Sequence, residues 1–289
     1  MLAFLRIPFM KRNLKYTIPA LFLVAGAAFG FRYVQSATTE KESLVMRLVA
    51  EALQGVHYQP RAIDDSFSED VFKAYLELLD GEKRFLYQSD FDRLAKHRLK
   101  LDDYFTSGDL SFFEESSALW KQRRTEARRR FTRLLASPLN ISKARSLETD
   151  AEKRAYPKDS AAMDAFWADY LTSRVLDRLY DRAYEKKDSI NQAFLPGHPD
   201  FAANESEARA KELEIHNEWF DGLDELDRTD EFSYYINAYA AAFDPHTQYF
   251  PPQQQEAFEI EMTGQLEGIG AQLQQDGEFV TIASIVTGS

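Results

Sequence analysis

The sequence contains no cysteine. That excludes a disulfide scaffold, a thiolate zinc site, a cysteine nucleophile and a lipid-modified cysteine anchor. Histidine is nearly as scarce. His57, His97, His198, His216 and His246 are never spaced i,i+4, and no His-Glu-x-x-His occurs, so a local metal site has no support. Gly-x-Ser-x-Gly is missing as well, and no local Ser/His/Asp grouping marks a nucleophile. No cofactor and no metal is expected. Acid is absent up to Glu40, whereas Arg6, Lys11, Arg12, Lys15 and Arg32 fall in that stretch. Net charge is −12, and it becomes −17 once those five bases are set aside. So acidic a chain is not a nucleic-acid binder, whose affinity rests on neutralising phosphates. With 44% hydrophobic and 13% aromatic residues it is not a disordered chain either.

A long apolar run is missing too. The longest, Ile18–Phe31, falls short of the roughly 20 residues that cross a bilayer as a helix. Preceded by a basic segment and followed by Val34-Gln35-Ser36, it reads as a cleavable export signal over residues 1–36. An uncleaved anchor is the competing reading, helped by Leu2–Leu5 and by Arg32 just past the run. Either way the remainder is expected in the periplasm, touching the inner membrane only through the leader.

What is present is helical periodicity, from about residue 40 to 262. Glu40–His57 places Leu44, Leu48, Val49, Ala52 and Leu53 on one face. Ser66 and Glu69 have the spacing of a capping box that opens a second helix, with Val71, Phe72, Tyr75, Leu76 and Leu79 inward and Gly81 as its C-terminal stop. Helices are expected over about Asp90–Phe105, Leu110–Ser137, Ser160–Asp188, Glu205–Leu226 and Glu231–Phe243, with a short one over Gln253–Met262. The Ser160 helix carries Met163, Phe166, Trp167, Tyr170, Leu171, Val175 and Leu179 as its apolar stripe. After Gly264 the period changes to two through Ile269, Ala271 and Leu273. Asp276-Gly277 then signals a hairpin into Phe279–Val286. Two strands bury no core alone, so the chain reads as stopping inside a second domain. The expected class is mainly α: a multi-helix domain running into the first hairpin of a β-containing one.

Three clusters invite a functional reading. Lys121, Arg123, Arg124, Arg128, Arg129 and Arg130 could meet an acidic partner, anionic lipid or another part of the chain. A solvated helix face, with Glu126 pairing Arg130, is the plainer expectation. Asp177 with Asp181, and Arg178 with Arg182, sit one turn apart and fit an exposed salt-bridged face better than a paired-carboxylate site. Gly268-Ile269-Gly270 precedes a strand and follows a helix, the reverse of a dinucleotide loop. It is either a glycine bend or a backbone N–H nest for a carboxylate.

The segment Tyr75-Leu76-Glu77-Leu78-Leu79-Asp80-Gly81-Glu82-Lys83-Arg84-Phe85-Leu86-Tyr87-Gln88-Ser89-Asp90 resembles the N-terminal signature of tail-specific proteases, the carboxy-terminal processing peptidases. Asp244-Pro245-His246-Thr247-Gln248-Tyr249-Phe250 resembles the stretch before their PDZ domain, and Leu266-Glu267-Gly268-Ile269-Gly270-Ala271 the opening of that domain. The resemblance implies an exported serine endopeptidase with a serine/lysine catalytic pair. A lysine base works near neutral pH only when burial lowers its pKa.

On this pattern residues 40–250 are the helical domain, 251–265 a connecting helix and 266–289 the start of a truncated PDZ domain. Gly268, Ile269, Gly270 and Ala271 match the loop that takes the substrate's C-terminal carboxylate. Implied partners are proteins or peptides with free apolar C-termini and an envelope adaptor protein. No serine or lysine here matches the catalytic segments, so no residue of this chain inherits a catalytic role. A non-catalytic helical binding module in the periplasm is the other reading.

Overall fold

A computed structural model describes residues 38–59, 61–141, 146–185, 189–252, 254, 255, 258, 271–276 and 279–285. The leader, most of the expected helix over Gln253–Met262, and Gly268, Ile269 and Gly270 lie outside the described residues. The chain divides into one compact unit up to Gln248 and a second from Tyr249. Among the described residues no helix is long and apolar enough to cross a membrane.

The first unit is helical. Its elements are α1 (38–55), α2 (Asp65–Asp80), α3 (Gln88–Leu94), α4 (Leu101–Ser107), α5 (Ser111–Leu135), α6 (Ser160–Ala183), α7 (Phe201–Asp224) and α8 (Arg228–Phe243). In the second unit β1 (Ala271–Asp276) pairs antiparallel with β2 (Phe279–Ile285), Ala271 lying opposite Ile285 and Asp276 opposite Phe279. The residues joining the two strands lie outside the described set.

The core has two aromatic regions joined lengthwise by α5. In the first, α2 and α8 pack together with α4 against the N-terminal half of α5. Phe67, Tyr75, Phe105, Phe112, Phe113, Tyr235 and Tyr239 meet there, Phe105 stacking on Tyr239 at 4.3 Å and Phe113 on Tyr235 at 5.3 Å. In the second, Phe131 and Leu135 of α5 meet Met163, Trp167, Leu171, Val175 and Leu179 of α6, with Phe220 of α7. Buried hydroxyls find each other: Tyr235 and Tyr239 lie 2.6 Å apart, and Ser116 donates to the Phe112 carbonyl at 2.6 Å.

Four local expectations need correction. The inward face of α1 is Met46, Ala50 and Leu53, while Leu44 and Leu48 are 48% and 53% exposed. The helix is rotated because Glu42 turns inward to the Arg228 guanidinium, at 2.6 and 2.8 Å. The cap of α2 is Asp64, whose carboxylate accepts from the Ser66 and Phe67 N–H groups; Glu69 instead pairs with Arg98. Gly81 stays right-handed, with φ −54°, so it is no left-handed stop. It is required for space, since a Cβ there would lie 2.8 Å from the Glu77 carbonyl oxygen, which as backbone cannot swing aside. Finally, the helix expected over Asp90–Phe105 is two helices. Ala95–His97 tightens into a 3-10 turn and α4 restarts at Leu101. Its missing cap comes from another helix: the Ser68 hydroxyl accepts the Asp102 N–H at 2.8 Å.

Gly108 ends α4 in the left-handed region at φ +74°, its carbonyl accepting from the Ser43 hydroxyl of α1 at 2.7 Å. A Cβ there would sit 2.5 Å from the Ser43 carbonyl oxygen. Gly108→Ala adds left-handed strain to this collision and should cost about 2–4 kcal/mol. Urea denaturation followed by far-UV circular dichroism reads it as a lowered midpoint.

Candidate functional site

The loop between α2 and α3 is built around one carboxylate. Asp80, the last residue of α2, is buried and accepts the backbone N–H groups of Arg84 (2.6 Å), Phe85 (3.1 Å) and Leu86 (2.7 Å). Burial pushes its carboxyl up to about 7, against the opposing pull of those amides and of the Arg84 guanidinium. The Arg84 carbonyl accepts from the Trp167 indole at 2.9 Å, and the Arg84 guanidinium lies over the Tyr170 ring at 4.4 Å. At the far end Asp90 reaches back to the Tyr87 N–H and receives a two-nitrogen contact from Arg123 at 2.7 and 2.9 Å. The loop is thus fixed from both ends by buried acids.

The basic run on α5 is not a solvated face. Arg124 and Arg130 are only 3% and 8% exposed. Arg130 bonds Asp164 of α6 at 2.5 Å and the Tyr87 hydroxyl at 3.1 Å. Arg124 donates to the Leu223 carbonyl of α7 and lies over Trp120. Arg128 reaches Asp221 and Asp224, and Glu126 pairs with Arg123 rather than with Arg130. On α6, Arg178 and Arg174 pair across to Glu212 of α7, so this charge pattern joins helices instead of lacing one face; Asp177 and Asp181 are exposed.

Tertiary structure assembles one polar group that no local spacing announces. His57 Nε2 lies 3.1 Å from the Thr247 hydroxyl and 3.9 Å from the Asp244 carboxylate, to which Tyr58 donates at 3.4 Å. A proton relay needs base and orienting acid on opposite ring nitrogens. Here hydroxyl and carboxylate share one nitrogen, so the group pins the end of the helical unit to the segment just past α1. Its signal in the sequence was only Asp244-Pro245-His246-Thr247 itself.

His216 is buried among Phe131, Trp167, Tyr170 and Trp219. Its Nδ1 faces the Glu212 carbonyl at 2.9 Å and the Glu212 carboxylate at 3.3 Å, while Nε2 has no partner. Burial depresses its pKa, and Arg84 and Arg174 add to that; Glu212 opposes. Among the described residues no group of His, Asp and Glu has metal-site geometry. Of the expected carboxylate loop, Ala271 opens β1; its three predecessors Gly268, Ile269 and Gly270 lie outside the described residues. Beside the Asp80 loop runs a groove of about 440 Å³ with Phe72, Leu76, Phe91 and Tyr156 along it.

A profile of the tail-specific protease N-terminal domain matches residues 49–253. The chain belongs to this family. The tail-specific protease of Haemophilus influenzae is 28% identical over 255 residues, which cover 88% of this chain and 34% of that protein. The chain therefore spans about a third of that relative's length. The matched residues contain α2 to α8, the Asp80 loop and the His57–Asp244 pin.

Asp80→Asn replaces an oxygen that accepts amide N–H groups by an NH2 that faces them, and should cost about 1–3 kcal/mol in a urea titration. His216 gives a pH test. Its folded pKa lies below the unfolded value of 6.5, so it stabilises above that value, and the contribution is lost as pH falls. Asp80, with its raised pKa, slopes the opposite way between 3.8 and about 7. The difference between wild type and His216→Phe isolates the histidine. The wild-type midpoint should fall relative to the variant's between about pH 7 and about pH 5.

Proposed function

We propose that this chain is the docking and scaffold part of an exported tail-specific serine endopeptidase. In this reading the leader sends it to the periplasm, and the helical unit frames a protease core whose serine and lysine lie outside these residues. The β1–β2 hairpin begins a PDZ domain. Gly268, Ile269, Gly270 and the start of β1 at Ala271 then offer backbone N–H groups to the free carboxylate of an apolar C-terminus, the nest mode of terminal recognition. The carrying observation is the family match over residues 49–253, extended by the Haemophilus influenzae relative across 88% of the chain. The antiparallel pairing of β1 with β2 after the helical unit supports the order of domains. An envelope adaptor protein docking on the helical unit is part of the same reading.

Fluorescence anisotropy on the native gene product tests it, with a labelled peptide ending in apolar residues against the same peptide amidated. Amidation should weaken binding about tenfold or more, the equivalent of about 1.4 kcal/mol. Gly268→Val with Gly270→Val should remove the difference. Equal binding of acid and amide would sink the carboxylate reading and leave a periplasmic binding module without tail specificity.

A further inference from the structure

In an acidic protein the segment Arg93-Leu94-Ala95-Lys96-His97-Arg98-Leu99-Lys100 carries four cations and no acid. It runs from the last two residues of α3 through the 3-10 turn into the connection to α4, and Lys96, Arg98, Leu99 and Lys100 are exposed. Two of its bases are engaged: Arg93 with Glu115, and Arg98 with Glu69 at 3.3 Å between half-exposed side chains. His97 is held by Tyr104 at 3.0 Å and by Glu115 at 2.8 Å. Lys96 and Lys100, with Lys73 of α2 nearby on the groove, have no ion-pair partner among the described residues. On α5 Arg123, Arg124, Arg128 and Arg130 are drawn into contacts with other elements while Lys121 and Arg129 stay exposed; here Lys96 and Lys100 face water beside an apolar groove.

The groove beside the Asp80 loop adjoins this segment through Arg98, which lines it together with Lys73. Its apolar wall is Phe72, Leu76, Phe91 and Tyr156, the last two stacked at 5.2 Å. About 440 Å³ admits one or two large side chains. Glu77 and Asp80 also line the groove, against Lys73, Lys83, Arg98 and Arg154. An apolar groove beside the exposed Lys73, Lys96 and Lys100 selects a ligand that is apolar at one point and anionic around it.

We propose that this groove and the Arg93–Lys100 turn dock an acidic polypeptide segment of a partner protein, with one large apolar side chain in the groove and flanking carboxylates on Lys73, Lys96, Arg98 and Lys100. Charge complementarity favours such a segment: with the five bases before Glu40 set aside the chain carries a net charge of −17, so most of its remaining surface disfavours one. The apolar groove favours a peptide over a bilayer surface, which would take up the exposed Leu99 and leave the groove unused. The proposal does not need the carboxylate nest.

The test uses the full 289-residue chain and a fluorescein-labelled peptide in which one Phe is flanked by Asp and Glu, amidated at its C-terminus so that no terminal carboxylate reports on Gly268–Ala271. Binding should weaken about tenfold when Phe is replaced by Ala. It should weaken at least as much in the Lys73→Glu/Lys96→Glu/Lys100→Glu variant, whose altered side chains are exposed and unpaired, so the urea midpoint should hold. Binding should also fall steeply with salt, as exposed charges are screened over about 8–10 Å. Failure of the peptide to bind below about 1 mM would overturn the proposal. So would equal binding of the Ala peptide, equal binding by the triple variant, or sedimentation with phosphatidylglycerol vesicles without peptide binding. An acid-over-amide preference in the separate tail-peptide test would leave each of these results standing.

Discussion

Burying guanidinium groups along α5 is the constraint on which the rest of the helical unit depends. Taking a cation out of water costs several kcal/mol unless geometry and hydrogen bonds restore what hydration supplied. α5 meets that condition with partners on three other elements. Arg123 reaches Asp90 at the start of α3, Arg130 reaches Asp164 on α6, and Arg124 and Arg128 reach the C-terminal turn of α7. Arginine suits the role because its planar fork satisfies a carboxylate with two parallel bonds while its face lies on Tyr87, Trp120 or Phe220. A displaced helix would strand a buried charge. The ion pairs therefore specify helix placement more than they add net stability.

With α5 placed, both aromatic regions follow, since its two halves supply Phe112 and Phe113 to one and Phe131 to the other. The Asp80 loop lies between them, closed by Trp167 from the α6 side and by Arg123 from α5. A rigid loop next to an open groove is what a docking surface needs, because little side-chain freedom remains to be lost on binding. At the other end of the chain, His57 and Tyr58 hold Asp244 and Thr247, so the last segment of the first unit leaves from a defined place.

The α2 and α6 stripes were legible because every turn contributes a large apolar residue, and Val71, Phe72, Tyr75, Leu76, Leu79, Met163, Trp167, Leu171, Val175 and Leu179 are buried as their spacing implies. On α1 the same reasoning chose Leu44 and Leu48, because nothing local shows that Glu42 will be neutralised by Arg228. The break between α3 and α4 carries neither glycine nor proline, and the serine that caps α4 sits on α2. The bases of α5 looked like the exposed set by density alone. Density is a poor guide to exposure when acids from α3, α6 and α7 converge on it: Arg123, Arg128 and Arg130 are paired while Lys121 and Arg129 stay exposed.

By itself the sequence determined the class of the chain and its family. Helical period, the absence of cysteine, and the order of the Tyr75–Asp90 and Asp244–Phe250 motifs are all local properties, readable residue by residue. Tertiary structure alone decided which charges are buried, which leucines stay in water and which histidine meets which acid. Each of those is set by a partner far along the chain: Arg228 for Glu42, Leu223 for Arg124, Asp244 for His57. Electrostatic and packing energies depend on distance in space, and separation along the chain carries no measure of it.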